Sequence, residues 1–287
     1  MKLLRYGPAH QEKPGLLDAN GKIRDLSAHL SDVDSRAIDA EGLKRLSLLN
    51  IDSIPIVEGS PRLGVPLSGI GKVVAIGLNY VDHANEAKLP IPSEPIVFMK
   101  ATSSLCGSSD DTLIPRNSTK LDWEVELGIV VGTRASYVNE EDALDHVAGY
   151  LAANDVSERQ FQLERGSQWD KGKGCDTFCP LGPYLVTKDE IKDPQNLAMW
   201  LDVNGERMQS GNTANMIFSC AKIVSYLSQF MTLLPGDVII TGTPHGVGIG
   251  FNPPRFLKAG DVVTLGIDGL GSQRQLICDT PADGALS

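Results

Sequence analysis

Short apolar runs recur through the chain, each bounded by Gly, Pro, Asn or Asp. They are KVVAIGLN (72–79), PIVFMK (95–100), LGIVVG (127–132), AGYLAAN (148–154), PGDVIITGT (235–243) and AGDVVTLGID (259–268). Runs of this length and β-branched content between turn residues read as buried strands. Helical patterns are fewer. SCAKIVSYLSQFMTL (219–233) is the clearest amphipathic one. Shorter helices are expected over AEGLKRLSLL (40–49), NEEDALDHV (139–147, capped by Asn139) and SERQFQLERG (157–166, capped by Ser157). Asn204-Gly205 inside MWLDVNGERMQ predicts a hairpin. Strands and helices do not alternate, which disfavours a doubly wound sheet or an eight-fold barrel. The expected fold is therefore mixed β with peripheral helices. The Pro- and Gly-dotted stretch 54–71 reads as a linker. It divides a small N-terminal α+β domain (1–69) from a main domain (70–287), whose PADGALS tail is expected to be mobile.

Composition narrows the partners. Hydrophobic residues make up 41% of the chain, enough for a sizeable core, and the formal net charge is -10. That charge argues against nucleic acid or an anionic membrane surface. The five cysteines are odd in number and widely spaced, as expected of reduced thiols in a cytoplasmic protein. No segment reaches membrane-spanning length.

Most of the chemistry gathers around LDWEVELGIVVG (121–132). Asp122, Glu124 and Glu126 alternate with Trp123, Val125 and Leu127, so a strand would carry the carboxylates on one face. The bland reading is a solvated edge. Two features weaken it: like charges side by side repel, and the apolar run that follows implies a buried strand. Carboxylates at the mouth of a core call for a cation, and Mg²⁺, Mn²⁺ or Ca²⁺ takes oxygen ligands. Asp155, at the end of AGYLAAND, is a candidate third ligand. No His or Cys joins at zinc-binding spacing. In GLNYVDHANE (77–86), His83 and Glu86 share a helical face, so Glu86 can orient a basic His83. A surface His beside a chance acid fits the spacing equally well. The polar loop 157–183 holds Arg159, Gln162, Lys171, Lys173 and Thr177. TGTPHGVG (241–248) offers backbone N–H groups to an anion, or is a plain tight turn.

These motifs in this order, GLNYVDHANE, VFMK, DWEVELGIVVG, NDVSERQFQ, DTFCPLGP and PGDVIITGTPHGVG, resemble the fumarylacetoacetate hydrolase family over about residues 70–278. The resemblance implies a β-sandwich roll, usually a homodimer or a dimer of dimers. It implies a Mg²⁺ or Mn²⁺ site at Glu124, Glu126 and Asp155, with Asp122 supporting from behind. It makes His83 and Glu86 the catalytic pair. Lys173 is catalytic too, preferred to Lys171 by its spacing from Trp169. Tyr80, Lys100, Arg159, Gln162, Thr177 and Thr243 become substrate contacts. One position departs: where the namesake enzyme has a further acidic ligand, this chain has Asn79, which implies a more weakly held and wetter metal.

The implied substrates are small 2-keto and 2,4-diketo acids. Across the whole chain the pattern is similar to a bacterial branch labelled ureidoglycolate lyase, which includes hydrolases of 2,4-diketo-3-deoxy sugar acids from L-rhamnose and L-fucose. The favoured expectation is such a hydrolase, giving pyruvate and lactate. The rivals are ureidoglycolate lyase, an oxaloacetate decarboxylase or tautomerase, and a sugar-acid binding protein without turnover. The segment 79–92 is expected to be a lid that orders on ligand binding.

Overall fold

The structure, a computed structural model, describes residues 1–281; the tail expected to be mobile lies outside them from residue 282 onward. Among the described residues the larger sheet has eleven strands. Its main path runs Ile23–Asp25, Lys13–Leu17, Lys2–Tyr6, Leu185–Thr187, Val147–Asn154, Val125–Val131, Val238–Ile240, Val73–Gly77 and Ile96–Lys100. Cys179–Leu181 and Leu105–Gly107 branch from Val147–Asn154. A second sheet of five runs Glu206–Asn212, Ala198–Val203, Val262–Ile267, Gly271–Asp279 and Thr112–Ile114. Asn204 and Gly205 both take positive φ (53° and 80°) at the expected hairpin, which suits the twist of the strands they join.

Val125–Val131 is central and buried along its whole length. Alternation sorts its side chains. Val125, Leu127 and Ile129 join Leu201, Val263 and Leu265 of the smaller sheet in one apolar cluster. Val130, on the other face, packs with Val73, Leu151, Leu185 and the N-terminal Leu3, Leu26, Val33 and Ile38. Segment 1–69 therefore shares its core with the rest. Lys2–Tyr6 pairs antiparallel with Leu185–Thr187, so the linker read over 54–71 does not separate two cores.

Three local expectations change. The stretch 121–132 is not one strand. Leu121–Asp122 pairs with Ser157–Glu158 in a small sheet of its own, and the ladder resumes only at Val125. The 139–147 helix is a 3-10 turn, Glu140–His146, without a side-chain cap from Asn139. The helix after Ser157 is Arg159–Leu163, and its cap is Glu158, whose carboxylate accepts from Phe161 N at 2.6 Å. Ser157 is spent in the strand pairing. No helix among the described residues is long and apolar enough to cross a membrane.

Candidate active site

The antiparallel register between the two central strands builds the floor of the site. Glu126 lies opposite Ala153 and Val125 opposite Asn154. One residue further on, Asp155 N donates to Glu124 O at 2.9 Å, and Asn154 Oδ1 accepts from Glu124 N at 3.1 Å. The ends of neighbouring strands thus bring three buried carboxylates together. One oxygen each from Glu124, Glu126 and Asp155 lies within 4.8 Å of the others. These hard oxygen donors fit a divalent cation of the magnesium, manganese or calcium kind. Among the described residues no His or Cys completes the group.

Cations surround this floor. Lys173 donates to Glu124 Oε2 at 2.8 Å and to Asp155 Oδ2 at 2.7 Å. Arg159 donates to Glu124 Oε1 at 2.6 Å, to Asp122 Oδ2 at 2.7 Å and to Gln162 Oε1 at 3.0 Å. Burial alone would raise the Glu124 carboxyl; Lys173 and Arg159 outweigh it and hold it down at about 2. Glu126 goes the other way. Burial, with Asp155 and Glu124 beside it, pushes its carboxyl well above the usual range, although Gly242 N donates to it at 2.7 Å. Burial also works against the Lys173 ammonium, but Asp155 and Glu124 hold its proton more tightly than usual.

The roof is the helix Val81–Glu86 with the loop 241–250. His83 Nδ1 lies 3.1 Å from Glu86 Oε2. A carboxylate there accepts the Nδ1 proton and leaves Nε2 as the basic nitrogen. The ring is close enough to Glu124 to act on its charge. Glu86 Oε1 accepts from Gly246 N at 2.9 Å. Gly250 makes room for this: a Cβ there would lie 2.4 Å from Glu86 Cδ. Gly246, at φ 94°, passes so close to Met208 O that a Cβ would sit 2.0 Å from it.

Residues 72–277 match the family model described as fumarylacetoacetate (FAA) hydrolase C-terminal. The chain belongs to the fumarylacetoacetate hydrolase family. A relative from Burkholderia ambifaria, presumed a hydrolase by its name, is 60% identical over 96% of this chain and 98% of its own. The solved fumarylacetoacetate hydrolase of Exiguobacterium antarcticum is 34% identical, with a TM-score of 0.85 over 97% of this chain and 99% of that one. The maleylpyruvate hydrolase of Sphingobium sp. SYK-6, solved with manganese(II) and pyruvate, is 28% identical, with a TM-score of 0.81 over the same shares. The mixed β architecture expected from the sequence is this family's fold.

Within that family frame, several expected substrate contacts are taken up by the protein itself. Lys100 is fully buried and donates to Asp155 Oδ1 at 2.5 Å, to Val156 O at 3.3 Å and to Lys173 O. An ammonium has three donors, so Lys100 braces a carboxylate instead of meeting substrate. Tyr80 is wholly buried, and its hydroxyl donates to Met199 Sδ at 3.2 Å. Thr177, at φ 65°, accepts from Leu113 N at 2.9 Å and faces a different cleft, beside Cys106 and Asp110. Lys171 is exposed and bonds Arg165 O. Arg159 reaches the carboxylates, Gln162 Oε1 accepts from Arg159, and Thr243 Oγ1, within the roof loop, accepts from Gln209 at 2.8 Å. Asn79 serves the structure. Its amide donates to Thr241 O (2.8 Å) and Phe218 O (3.1 Å) and accepts from Phe218 N (2.8 Å). A carboxylate could not make the two donations.

Gln209 escaped the sequence reading. Fully buried, it accepts from Val125 N at 3.0 Å, between two of the carboxylates, and donates to Thr243 Oγ1 and Pro244 O. Only its place on an otherwise alternating hairpin strand hints at this. Asp122 accepts four bonds, from Trp123 N, Gly248 N, Ile249 N and Arg159 Nε, and so ties the roof loop to the floor.

Proposed function

We propose that this protein is a divalent-metal-dependent hydrolase of a 2,4-diketo-3-deoxy sugar acid, of the L-rhamnonate or L-fuconate series, releasing pyruvate and lactate. The observation that carries the reading is the buried trio Glu124, Glu126 and Asp155 beneath an imidazole already oriented by Glu86. Pyruvate bound with manganese in the similar maleylpyruvate hydrolase supports the pyruvate half. The same reading takes the enzyme as cytoplasmic and homodimeric, or a dimer of dimers.

Glu124, Glu126 and Asp155 would hold a Mg²⁺ or Mn²⁺ ion, which when bound would supply Lewis acidity toward the 2-keto acid end of the substrate. His83 Nε2 takes a proton from water, whose oxygen adds to the C4 carbonyl. Collapse of that adduct breaks the C3–C4 bond. One fragment leaves as lactate; the other takes up a proton at C3 and leaves as pyruvate. Glu86 holds the Nδ1 proton, so that Nε2 is free to take the proton from water, and then faces the imidazolium that forms. Lys173, held cationic by its neighbours, stabilises negative charge as it builds up, and removing one such donor costs about 10²–10³ in rate. Gln162 and Arg159 hold the floor in shape around the reacting group.

The test is chromatographic measurement of pyruvate and lactate from the diketo sugar acid, with Mn²⁺ and with EDTA. Equimolar, EDTA-sensitive release is expected. Pyruvate from oxaloacetate alone would replace hydrolysis with decarboxylation, and no pyruvate from either acid would overturn the reading.

A further inference from the structure

The helix Val81–Glu86 is fastened to the roof loop at two adjacent loop residues, 245 and 246. Glu86 links the His83 ring to Gly246 N, as described above. Asp82 makes a second link. Its Oδ1 accepts from His83 N at 2.8 Å, and its Oδ2 lies 2.8 Å from His245 Nδ1. The proposed base is therefore gripped at its backbone amide by Asp82, which reaches His245, and at its ring by Glu86, which reaches Gly246. We infer that His245 is a positioning residue, whose imidazole acts through Asp82 to set the helix Val81–Glu86 and with it His83. The inference rests on the reading of His83 as the base.

Energetics separate this role from a structural one. The contact is half exposed, with side-chain accessibilities of 49% for His245 and 28% for Asp82. Pairs at such exposure add little to stability. Turnover is more sensitive, because a misplacement of about 1 Å costs about 10² in rate. Losing His245 should therefore leave folding intact while turnover falls. None of the carboxylates of the floor is touched, so metal affinity should hold.

The experiment compares wild type with His245→Ala, His245→Asn, Asp82→Ala and the Ala/Ala double variant. Asn can place an amide N–H near the position of Nδ1. Three readouts are taken: kcat and KM for pyruvate release, Mn²⁺ affinity by calorimetry, and amide hydrogen exchange over 81–87 without substrate. In His245→Ala, kcat should fall about tenfold, with KM and Mn²⁺ affinity held within about twofold and exchange over 81–87 faster. His245→Asn should recover most of both changes. The double variant should be no worse than Asp82→Ala, since coupled residues are not additive. Unchanged exchange in His245→Ala, an unchanged kcat, or multiplying losses in the double variant would overturn the inference. A wild type inactive on diketo acids would sink the proposed function instead, while the exchange comparison still decides whether the clamp exists.

Discussion

Lys100→Met isolates the brace under the candidate metal floor. The substitution keeps an apolar chain of similar length but removes the ammonium that Asp155 Oδ1, Val156 O and the Lys173 carbonyl all use. Breaking a buried ion pair by deleting one partner costs about 3–5 kcal/mol. Asp155 keeps Lys173 at 2.7 Å, so the lower end, about 3 kcal/mol, applies. At about 2.1 cal/mol/K per residue the unfolding entropy of the 287-residue chain is about 0.6 kcal/mol/K. The melting temperature of the metal-free protein should therefore drop by about 5 °C. A cation bound by Asp155 supplies the missing positive charge. Mn²⁺ at a hundred times its dissociation constant stabilises wild type by about 2.7 kcal/mol; with Lys100 gone Asp155 offers the ion more uncompensated charge, and each tenfold gain in the variant's affinity closes the gap by about 1.4 kcal/mol. The assay is calorimetric or fluorescence melting in EDTA and in Mn²⁺. A variant that melts within a degree of wild type in EDTA would refute the bracing role. A drop that Mn²⁺ leaves untouched would refute the link between Lys100 and the metal.

Three further outcomes follow from the same geometry. Glu126, raised by burial and by its acidic neighbours, holds its proton further up the pH scale than an ordinary glutamate, so metal binding must displace it. Affinity should therefore fall as pH drops through that raised value, and calorimetry in buffers of different ionisation enthalpy should record proton release; no buffer dependence would contradict the shift. Asn79→Asp should lower stability by about 1–3 kcal/mol, because Thr241 O and Phe218 O lose their donor and a buried charge replaces it; tighter Mn²⁺ binding with unchanged melting would reverse the structural account of that amide. Gly250→Ala should cut kcat with Mn²⁺ affinity preserved, because its Cβ would press on Glu86 and not on the floor; equal kinetics would show that Glu86 tolerates displacement.

The parts legible in sequence were those set by local pattern. Apolar runs between turn residues marked Val73–Gly77, Val147–Asn154 and the Asn204-Gly205 hairpin. Period-two spacing put Glu124 and Glu126 together, and the run ending at Asp155 located its partner. The break at Trp123–Glu124 was not legible, since it depends on Leu121–Asp122 finding a different partner strand in Ser157–Glu158. Long-range neighbours also decided the fates of Tyr80, Lys100 and Thr177. Each has a polar end that suits a substrate, and each meets a protein acceptor or donor from a distant segment first. Gln209 stayed hidden for the same reason: its value lies in joining Val125 to Thr243, residues that no local rule connects.

The floor and roof also differ in how the chain reaches them. Val131 and Val147 already face each other across a short connection, whereas Thr241 meets Leu127 across 114 positions. Loop-closure entropy grows only logarithmically, so the longer closure costs about 1.7 kcal/mol more than the shorter one. Adding about twenty residues to it would cost only about 0.1 kcal/mol further. The stretch between floor and roof can therefore grow or shrink at its surface turns while the carboxylates and the loop above them keep the same meeting point, because their alignment is set by strand register and not by the length of chain between them.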